Sequence, residues 1–431
     1  MLQQLIRANL DGAPQGIYAI CSAHGLVLEA AMEQARADGT PLLIEATANQ
    51  VNQFGGYTGM RPADFFDYVM TLAARVGLDP STIVLGGDHL GPVCWQAEPA
   101  RDAMAKAGDL VAAYVRAGFT KIHLDCSMPC IDDQLPLADE IIAERAADLC
   151  RVAENAAAER GTPDTVEYII GTEVPPPGGA KEEITDLEVT SPAHARNTIE
   201  LHRGAFARRE LDRAWSRVIG LVVQPGVEFD HTSVIDYQPQ KARQLKRLAQ
   251  ETDGIAFEAH STDYQTAENY NQLVRDHFAI LKVGPQLTFA LREALFALSY
   301  IEDELPEIKE KSALRTVCES RMQAEPRYWQ SFYDVAEEKQ PLYRRYSYSD
   351  RIRYYWPDKA IEEAVTRLLD NLAGSAIPLP LLSQFFPEEY RLVRRGYADN
   401  EPRALIKARI RQVTAAYANA CWKQKQDNND V

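Results

Sequence analysis

Four of the eight histidines in this chain stand at or just beyond the ends of short apolar segments, and three of them lie close to acidic residues. The stretch VLGGDHLGP places Asp88 and His89 side by side, and His24 follows the first apolar segment. The stretches VEFDH and AFEAH end in His231 and His260. Neutral imidazoles are good zinc ligands, and three protein ligands leave one coordination position for a substrate. We therefore predict that His89, His231 and His260 bind a divalent metal ion. The alternative is that these imidazoles only hydrogen-bond the backbone.

A metal ion held by three imidazoles polarises a carbonyl group or stabilises an enediolate, while a nearby carboxylate moves protons. The elements that must position such groups are visible as eight apolar runs between the start of the chain and about residue 300. The runs are rich in Val, Ile and Leu without strict alternation, which is typical of strands buried on both faces. Amphipathic helical patterns separate the runs, and several of these patterns end in glycine.

Eight strand–helix units are the number that closes a (β/α)8 barrel. An open doubly wound sheet is the alternative, but it usually carries a glycine-rich phosphate loop after its first strand. Here the first strand continues into CSAHGLVLEA, which has no such loop. We predict an α/β fold in which residues 1–305 form a TIM barrel.

The strand pattern ends after about residue 305, and helical patterns such as AIEEAVTRLLDNL and EPRALIKARIRQVTAAYANACW follow. We predict that residues 306–431 form a helical extension packed on the barrel. The segment 344–356 is dense in arginine and aromatic residues, a mixture that also occurs in RNA-binding proteins. Because the chain is acidic overall, we expect this segment to cover the mouth of a barrel and not to bind RNA. The alternative is that it only packs against the rest of the protein. The sequence does not decide whether the covered barrel is its own or that of a neighbouring chain.

The net charge of −16 argues against nucleic acid or an anionic membrane surface as the main partner. The closest cysteines, Cys126 and Cys130, lack the two-residue spacing of a redox or zinc pair, so we expect reduced thiols. The chain has no basic start followed by an apolar core and no apolar stretch of membrane-spanning length. We expect a cytoplasmic protein.

Catalytic groups of a TIM barrel lie at the carboxyl ends of its strands, on one rim. The other polar residues near these ends form two predicted groups. The catalytic carboxylates are Glu45 and Glu173, and the substrate-binding residues are Asn49, Gln50, Asp125, Ser261 and Lys282. Lys282 has the residue type for a Schiff base, but we favour a salt bridge or anion binding. The sequence has neither a P-loop motif nor a G-x-S-x-G motif.

The stretch GGDHLGP resembles the class II, metal-dependent ketose-bisphosphate aldolases, which carry an Asp-His pair at the end of the third barrel strand. The resemblance implies that Asp88 is the proton donor and that His89, His231 and His260 are the metal ligands. Nearly the whole chain resembles one branch of that superfamily. This branch is the Z-type subunit of D-tagatose-1,6-bisphosphate aldolase, called non-catalytic and often labelled tagatose-6-phosphate kinase. Stretches that carry the resemblance include IEATANQVNQFGGYTGM, GTEVPPPGG, EAHSTDYQT and YSDRIRYYW.

This resemblance implies two functions, which the sequence leaves open. One is to support a catalytic class II aldolase subunit in tagatose 6-phosphate catabolism; the other is independent, metal-dependent 4-epimerisation of a ketohexose or its phosphate. The expected metal is zinc, with manganese, cobalt and nickel as alternatives, and homo-oligomerisation stays open. A kinase is disfavoured because no nucleotide motif is present. Unlike class II aldolases, the chain is poor in glycine after strands seven and eight (HSTDYQT, KVGPQLTFA), which argues against tight bisphosphate binding.

Overall fold

The structure is a computed structural model that describes residues 1–171 and 187–422. Its strands in chain order are β1 (Ile17–Ile20), β2 (Leu42–Thr47), β3 (Ile83–Leu90), β4 (Lys121–Leu124), β5 (Glu167–Gly171), β6 (Val218–Val223), β7 (Glu228–Phe229), β8 (Val234–Ile235), β9 (Ala256–Ala259) and β10 (Phe278–Val283). Within the described ranges, eight parallel strands close into a barrel in the order β1-β10-β9-β6-β5-β4-β3-β2. Strands β7 and β8 form a separate antiparallel hairpin. The predicted TIM barrel is confirmed.

Helices surround this barrel and continue beyond it. In chain order they are α1 (Leu2–Leu10), α2 (Gly25–Asp38), α3 (Pro62–Val76), α4 (Ala100–Ala117), α5 (Asp139–Glu159), α6 (Pro192–Arg208), α7 (Asp212–Trp215), α8 (Pro239–Glu251), α9 (Ala267–Arg275), α10 (Pro285–Glu304), α11 (Leu314–Ala324), α12 (Gln340–Tyr346), α13 (Lys359–Leu372), α14 (Leu379–Phe385), α15 (Pro387–Arg394) and α16 (Pro402–Cys421). Glycines in the left-handed conformation end α2, α3 and α4, at Gly39, Gly77 and Gly118. Only glycine adopts this conformation without steric cost. These helices therefore end at the glycines that close the helical patterns in the sequence.

The amino-terminal end of the barrel is closed by α1. Its Leu2 and Ile6 join the apolar cluster inside the barrel, together with residues such as Leu43, Ile169 and Ile280. The helix also contacts β6 and β9. Because apolar side chains fill this end, polar functional groups are expected at the opposite end of the barrel, where the strands have their carboxyl ends.

The final helix, α16, packs on the outside of the barrel against α2, α9 and α10. Its Tyr417 is fully buried, with its ring 4.0 Å from that of Tyr270 and 6.0 Å from that of Tyr18. The end of α16 reaches the entry to β1, where the Gly16 N–H donates to the carbonyl of Cys421 at 3.1 Å. The extension therefore covers the part of the barrel where the first and last strands meet.

The segment 344–356 closes over the mouth of its own barrel. The Tyr348 N–H donates to the His231 carbonyl at 3.0 Å, and the Tyr264 hydroxyl donates to the Tyr348 carbonyl at 2.7 Å. On α10, the Thr288 hydroxyl donates to Asp350 Oδ2 at 2.6 Å. These bonds tie the segment to loops and helices of the barrel rim, so its arginines and aromatic rings contribute to the cavity below.

All seven cysteines are free thiols, and Cys126 and Cys130 are both buried without forming a disulfide. Within residues 1–171 and 187–422, no helix combines the length and the apolar character that crossing a membrane requires. The cytoplasmic location stays a prediction.

Replacing Tyr417 should destabilise the whole barrel, because its ring fills the space between α16 and the barrel. We expect Tyr417→Ala to lower the free energy of unfolding by about 3–5 kcal/mol, as for other buried aromatic residues. Tyr417→Phe should cost about 1 kcal/mol, because it keeps the ring and removes the hydroxyl with its 3.0 Å hydrogen bond to the Thr262 hydroxyl. Urea unfolding followed by tryptophan fluorescence measures both changes.

The matched control is Tyr397→Ala, since Tyr397 is 76% exposed and lies in the same extension. It should change the unfolding free energy by less than about 0.5 kcal/mol. Equal stability of Tyr417→Ala and Tyr397→Ala would contradict this assignment of α16.

Candidate functional site

Three histidines and one aspartate meet at the carboxyl ends of β3, β4 and β9. The ring centroids of His89, His123 and His260 lie 5.0 to 5.5 Å apart. Together with Asp88, each residue offers a ligand atom, and these atoms all lie within 4.8 Å of one another. Such a set of nitrogen and oxygen donors is suited to a divalent transition metal.

The chain at the end of β3 is bent to present His89. Its φ is +50°, an uncommon conformation for a residue with a β-carbon. Two glycines give the bend its space: a β-carbon on Gly91 would overlap the Asp125 carbonyl oxygen, and one on Gly86 would lie 2.8 Å from the Glu45 side chain. The glycines of GGDHLGP therefore allow close approach of neighbouring strands, and His89 turns toward the centre of the mouth.

Outer carboxylates and a carbonyl orient the imidazoles. His89 Nδ1 lies 2.8 Å from Asp125 Oδ2, and His260 Nε2 lies 2.8 Å from Glu258 Oε1. His123 Nε2 lies 2.9 Å from the Gly171 carbonyl oxygen, which requires the proton on that nitrogen. Carboxylate or carbonyl partners of this kind fix the tautomer of metal-binding histidines and raise their basicity.

The tautomer of His123 provides a test of whether a cation fits. With its proton on Nε2, His123 has a lone pair on Nδ1, which lies 3.0 Å from Asp88 Oδ1. The His89 backbone N–H donates to this Nδ1 at 3.3 Å, so a cation bound by His123 would have to replace that hydrogen bond. What fits a metal ion is the donor set itself, because the ligand atoms of His89, His123, His260 and Asp88 lie within 4.8 Å of one another.

A buried network of ion pairs lies beneath the imidazoles. Lys121 pairs with Glu258 at 2.6 Å and with Glu45, and Lys282 pairs with Asp88 at 2.6 Å and again with Glu45. Asp125, paired with His89, adds a fourth carboxylate against two ammonium groups. Burial would lower the pKa of His89, but Asp88 and Asp125 raise it, so a protonated His89 offsets part of the excess negative charge when no metal ion is bound. Isolated charges are costly to bury, so a divalent cation would balance this group.

The protonation states agree with this arrangement. Burial lowers the pKa of His260 to about 3, so the imidazole is neutral, the form that binds a metal. Burial alone would raise the pKa of Asp88, but the charges of His89 and Lys282 hold it well below its usual range. Burial would lower the pKa of Lys282, yet Asp88 and the other acidic neighbours raise it well above its usual range. Lys282 is therefore an ammonium group, whereas a Schiff base needs the neutral amine.

The cluster opens into a cavity of about 840 Å³. Asp88 and His89 lie on its wall, and so do the predicted substrate-binding residues Asn49, Gln50, Asp125, Ser261 and Lys282. The extension adds Arg353, Tyr354 and Trp356 from the segment over the mouth. Their role in binding a substrate stays a prediction, but the structure brings all of them to one cavity.

The structure does not bring His231 to the other predicted metal ligands. The chain leaves β6 at Val223 and forms the β7–β8 hairpin, which carries His231 under the extension. There Nδ1 lies 3.1 Å from the Ser347 hydroxyl and 3.2 Å from the Ser349 hydroxyl, and Nε2 lies 3.0 Å from the Phe332 carbonyl. Both ring nitrogens are thus engaged, and the assignment of His231 as a ligand is corrected: in this structure it anchors the segment 344–356.

The predicted catalytic carboxylates have three different positions. Asp88 stands beside the imidazoles at the cavity wall. Glu45 is fully buried below the cavity, with its oxygens on Lys121 and Lys282, which makes it a positioning residue. Glu173 lies outside the described residues.

His123 is a ligand candidate that was not predicted from the sequence, and Glu258 is an unpredicted partner of His260. A usable signal was present in KIHLD and FEAH, where a histidine and an acid stand two residues apart at a strand end. Side chains two residues apart in a strand share a face. In the structure this spacing pairs Glu258 with His260, whereas Asp125 contacts His89 of the neighbouring strand and His123 contacts Asp88.

The family model for the D-tagatose-1,6-bisphosphate aldolase subunit GatZ/KbaZ-like matches residues 2–422. The chain belongs to this family. A crystal structure described as a probable tagatose 6 phosphate kinase from Sinorhizobium meliloti 1021 is 47% identical, with a TM-score of 0.88. The match covers 94% of this chain and all of that one. Family and fold therefore agree over almost the full length, including the extension.

Two aldolase structures are far more distant. The YdjI aldolase from Escherichia coli K12 is 10% identical over 84% of this chain and 94% of its own. A fructose-bisphosphate aldolase from Campylobacter jejuni is 14% identical over 86% of this chain and 93% of its own. Both have a TM-score of 0.42, which is too low to support an argument about function.

Metal binding should depend on His123 and not on His231. After loading with Zn²⁺ and dialysis, wild-type protein should retain one zinc per chain, measured by elemental analysis. His123→Ala and His260→Ala should lose affinity by more than the 10- to 100-fold that removal of an outer partner costs. His231→Ala is the matched control and should keep its zinc. Loss of zinc in His231→Ala with retention in His123→Ala would restore the original assignment.

Proposed function

We propose that this protein is a metal-dependent enzyme that breaks and re-forms the C3–C4 bond of a ketohexose or ketohexose phosphate, and so inverts C4. The observation that carries the proposal is the group Asp88, His89 and His260 at the wall of a cavity large enough for a sugar, with His123 buried directly behind them. Membership of an aldolase-subunit family supports the same bond chemistry.

A divalent cation at the imidazoles would supply Lewis acidity to the ketose carbonyl. Asp88 stands between these imidazoles and Lys282, facing the cavity, where it can accept the proton of the C4 hydroxyl. As that proton leaves, C4 becomes an aldehyde and the electron pair of the C3–C4 bond passes to the C2–C3 fragment, giving an enediolate. The atoms and charges balance, because Asp88 gains the proton that the substrate loses.

Re-addition completes the proposed reaction. If the aldehyde presents its other face, the C3–C4 bond re-forms with C4 inverted, and Asp88 returns the proton to the C4 oxygen. Asp125 and Glu258 keep His89 and His260 in place during both steps. The segment 344–356 covers the mouth, which would keep the aldehyde inside long enough to turn.

Activity should require both the metal and Asp88. Purified protein incubated with fructose, tagatose and their 6-phosphates should interconvert C4 epimers, followed by chromatography or NMR. A chelator should abolish the reaction and Zn²⁺ or Mn²⁺ should restore it; Asp88→Asn should lower the rate by at least about 100-fold. His231→Ala should retain more activity than Asp88→Asn. Absence of metal-dependent conversion of every one of these sugars would overturn the proposal.

A second candidate is a supporting role for a catalytic class II tagatose-1,6-bisphosphate aldolase subunit. The observation that favours it, beside the family, is a group of exposed apolar side chains on rim loops: Phe54, Ile131 and Leu135 are each about 70% exposed or more. Exposed apolar groups of this kind often mark a protein interface. In this role the chain would bind its partner through the barrel rim.

Mixing purified chain with the catalytic subunit tests the second candidate. The supporting role predicts co-elution in size-exclusion chromatography and a higher thermal midpoint of the aldolase. A variant carrying Phe54→Ser, Ile131→Ser and Leu135→Ser should lose both effects, while its own fold is checked by circular dichroism. No effect of the wild-type chain on the aldolase would exclude this role.

A further inference from the structure

The last barrel helix, α10, begins at the cavity. Gly284, which directly precedes the helix, lines the cavity wall together with Pro285 and Thr288 of its first turn. In TIM barrels the region after the last two strands, with the start of a helix, is a frequent phosphate site. Backbone N–H groups and the helix dipole attract an anion there. The start of α10 is thus the place where a phosphate group of a substrate would be expected.

In this chain an internal carboxylate uses those donors. The N–H groups of Gly284 and Gln286 both donate to Asp263 Oδ1, at 3.0 and 2.8 Å. Pro285 has no N–H to offer, and the Leu287 N–H donates to the Gly284 carbonyl at 3.1 Å. A phosphate could reach the first turn of α10 only by displacing Asp263.

The loop after β9 is built to hold Asp263 in this position. Ser261 and Tyr264 on either side have positive φ values of 50° and 65°, conformations that cost energy for residues with a β-carbon. Two hydrogen bonds fix the loop. The Thr262 hydroxyl donates to the Lys282 carbonyl at 2.6 Å, and the Tyr264 N–H donates to the Gln286 side chain at 2.9 Å. Asp263 itself is only 2% exposed, yet it lines the cavity.

Arg353 is the cation that could oppose this carboxylate, since it also lines the cavity. Its guanidinium group donates to the carbonyls of Ser349 and Asp350 and to the Tyr354 hydroxyl. These bonds hold the guanidinium group within the segment over the mouth. Arg353 therefore lines the cavity while several of its N–H groups already donate to protein atoms. An anion entering here would meet both Arg353 and the negative charge of Asp263.

We propose that Asp263 is a specificity-determining residue. Its carboxylate occupies the position at the start of α10 where a phosphate would bind. The protein therefore selects substrates that carry a hydroxyl group, and not a phosphate, at the end lying against β9 and β10. A carboxylate accepts a hydrogen bond from a hydroxyl and repels a phosphate dianion. This inference rests on the proposed ketose chemistry for its choice of substrate, and it narrows that substrate to sugars without a phosphate at this end.

The test is binding of inorganic phosphate to the metal-loaded full chain, measured by isothermal titration calorimetry. Asp263→Ala frees the N–H groups of Gly284 and Gln286 and should bind phosphate at least about tenfold more tightly than wild type. Asp263→Asn keeps an acceptor oxygen but loses the charge, so its gain should be smaller than that of Asp263→Ala. Binding at the metal is common to all these proteins and cancels in the comparison.

The matched control is Thr266→Ala, which removes the side-chain cap of the neighbouring helix α9 without touching the cavity. It should bind phosphate as wild type does. Equal phosphate affinity of wild type and folded Asp263→Ala overturns the proposal, and so does an equal gain in Thr266→Ala. If Asp263→Ala fails to fold, Asp263→Asn decides: no gain in phosphate affinity overturns the proposal. Because the readout is phosphate binding alone, a failure of the proposed catalytic activity would not affect it.

Discussion

An uneven balance of charge at the floor of the cavity is the constraint on which the site depends. Glu45, Asp88 and Glu258 pair with two ammonium groups, Asp125 adds a fourth carboxylate beside His89, and these carboxylates and ammonium groups are all buried. The barrel brings them together because the carboxyl ends of its strands meet at one rim. A buried excess of negative charge is stable only with a compensating cation. A cation held by the imidazoles above the network would lie beside the cavity.

The barrel fold and part of the site could be predicted from the sequence, because local residue patterns determine where the strands and helices begin and end. Eight apolar runs gave eight barrel strands, and glycines ended the helices as expected. Strand ends also located Asp88, His89 and His260, since strand direction decides which rim a residue reaches. His231 was misplaced because a hairpin of only two residues in each strand follows β6, and such short strands leave no periodic signal. His123 was missed because its role depends on which strands become neighbours, and that is a tertiary property.

The extension covers the mouth of the barrel and supplies part of the cavity wall. His231 fixes the segment 344–356 through Ser347 and Ser349, and Asp350 holds it to α10. Arg353 and Trp356 thereby become parts of the cavity wall. One segment thus gives the cavity both a cover and a cation, and a histidine that resembles a metal ligand in sequence serves to attach that cover.

The packing of α16 has a consequence for the way the protein is made. Strand β1 and the loop that carries Asp263 both lie against the last described helix, through Gly16 and Thr262. On a ribosome that adds 5–20 residues per second, roughly 20 to 80 s separate the synthesis of β1 from that of α16. For most of that interval β1 also lacks its neighbour β10, and after β10 is made the seam between the first and last strands waits about 6 to 24 s for α16, with apolar surface open to solvent. The nascent chain therefore has a long period of exposure to aggregation, and the cavity reaches its final shape only when translation is almost complete.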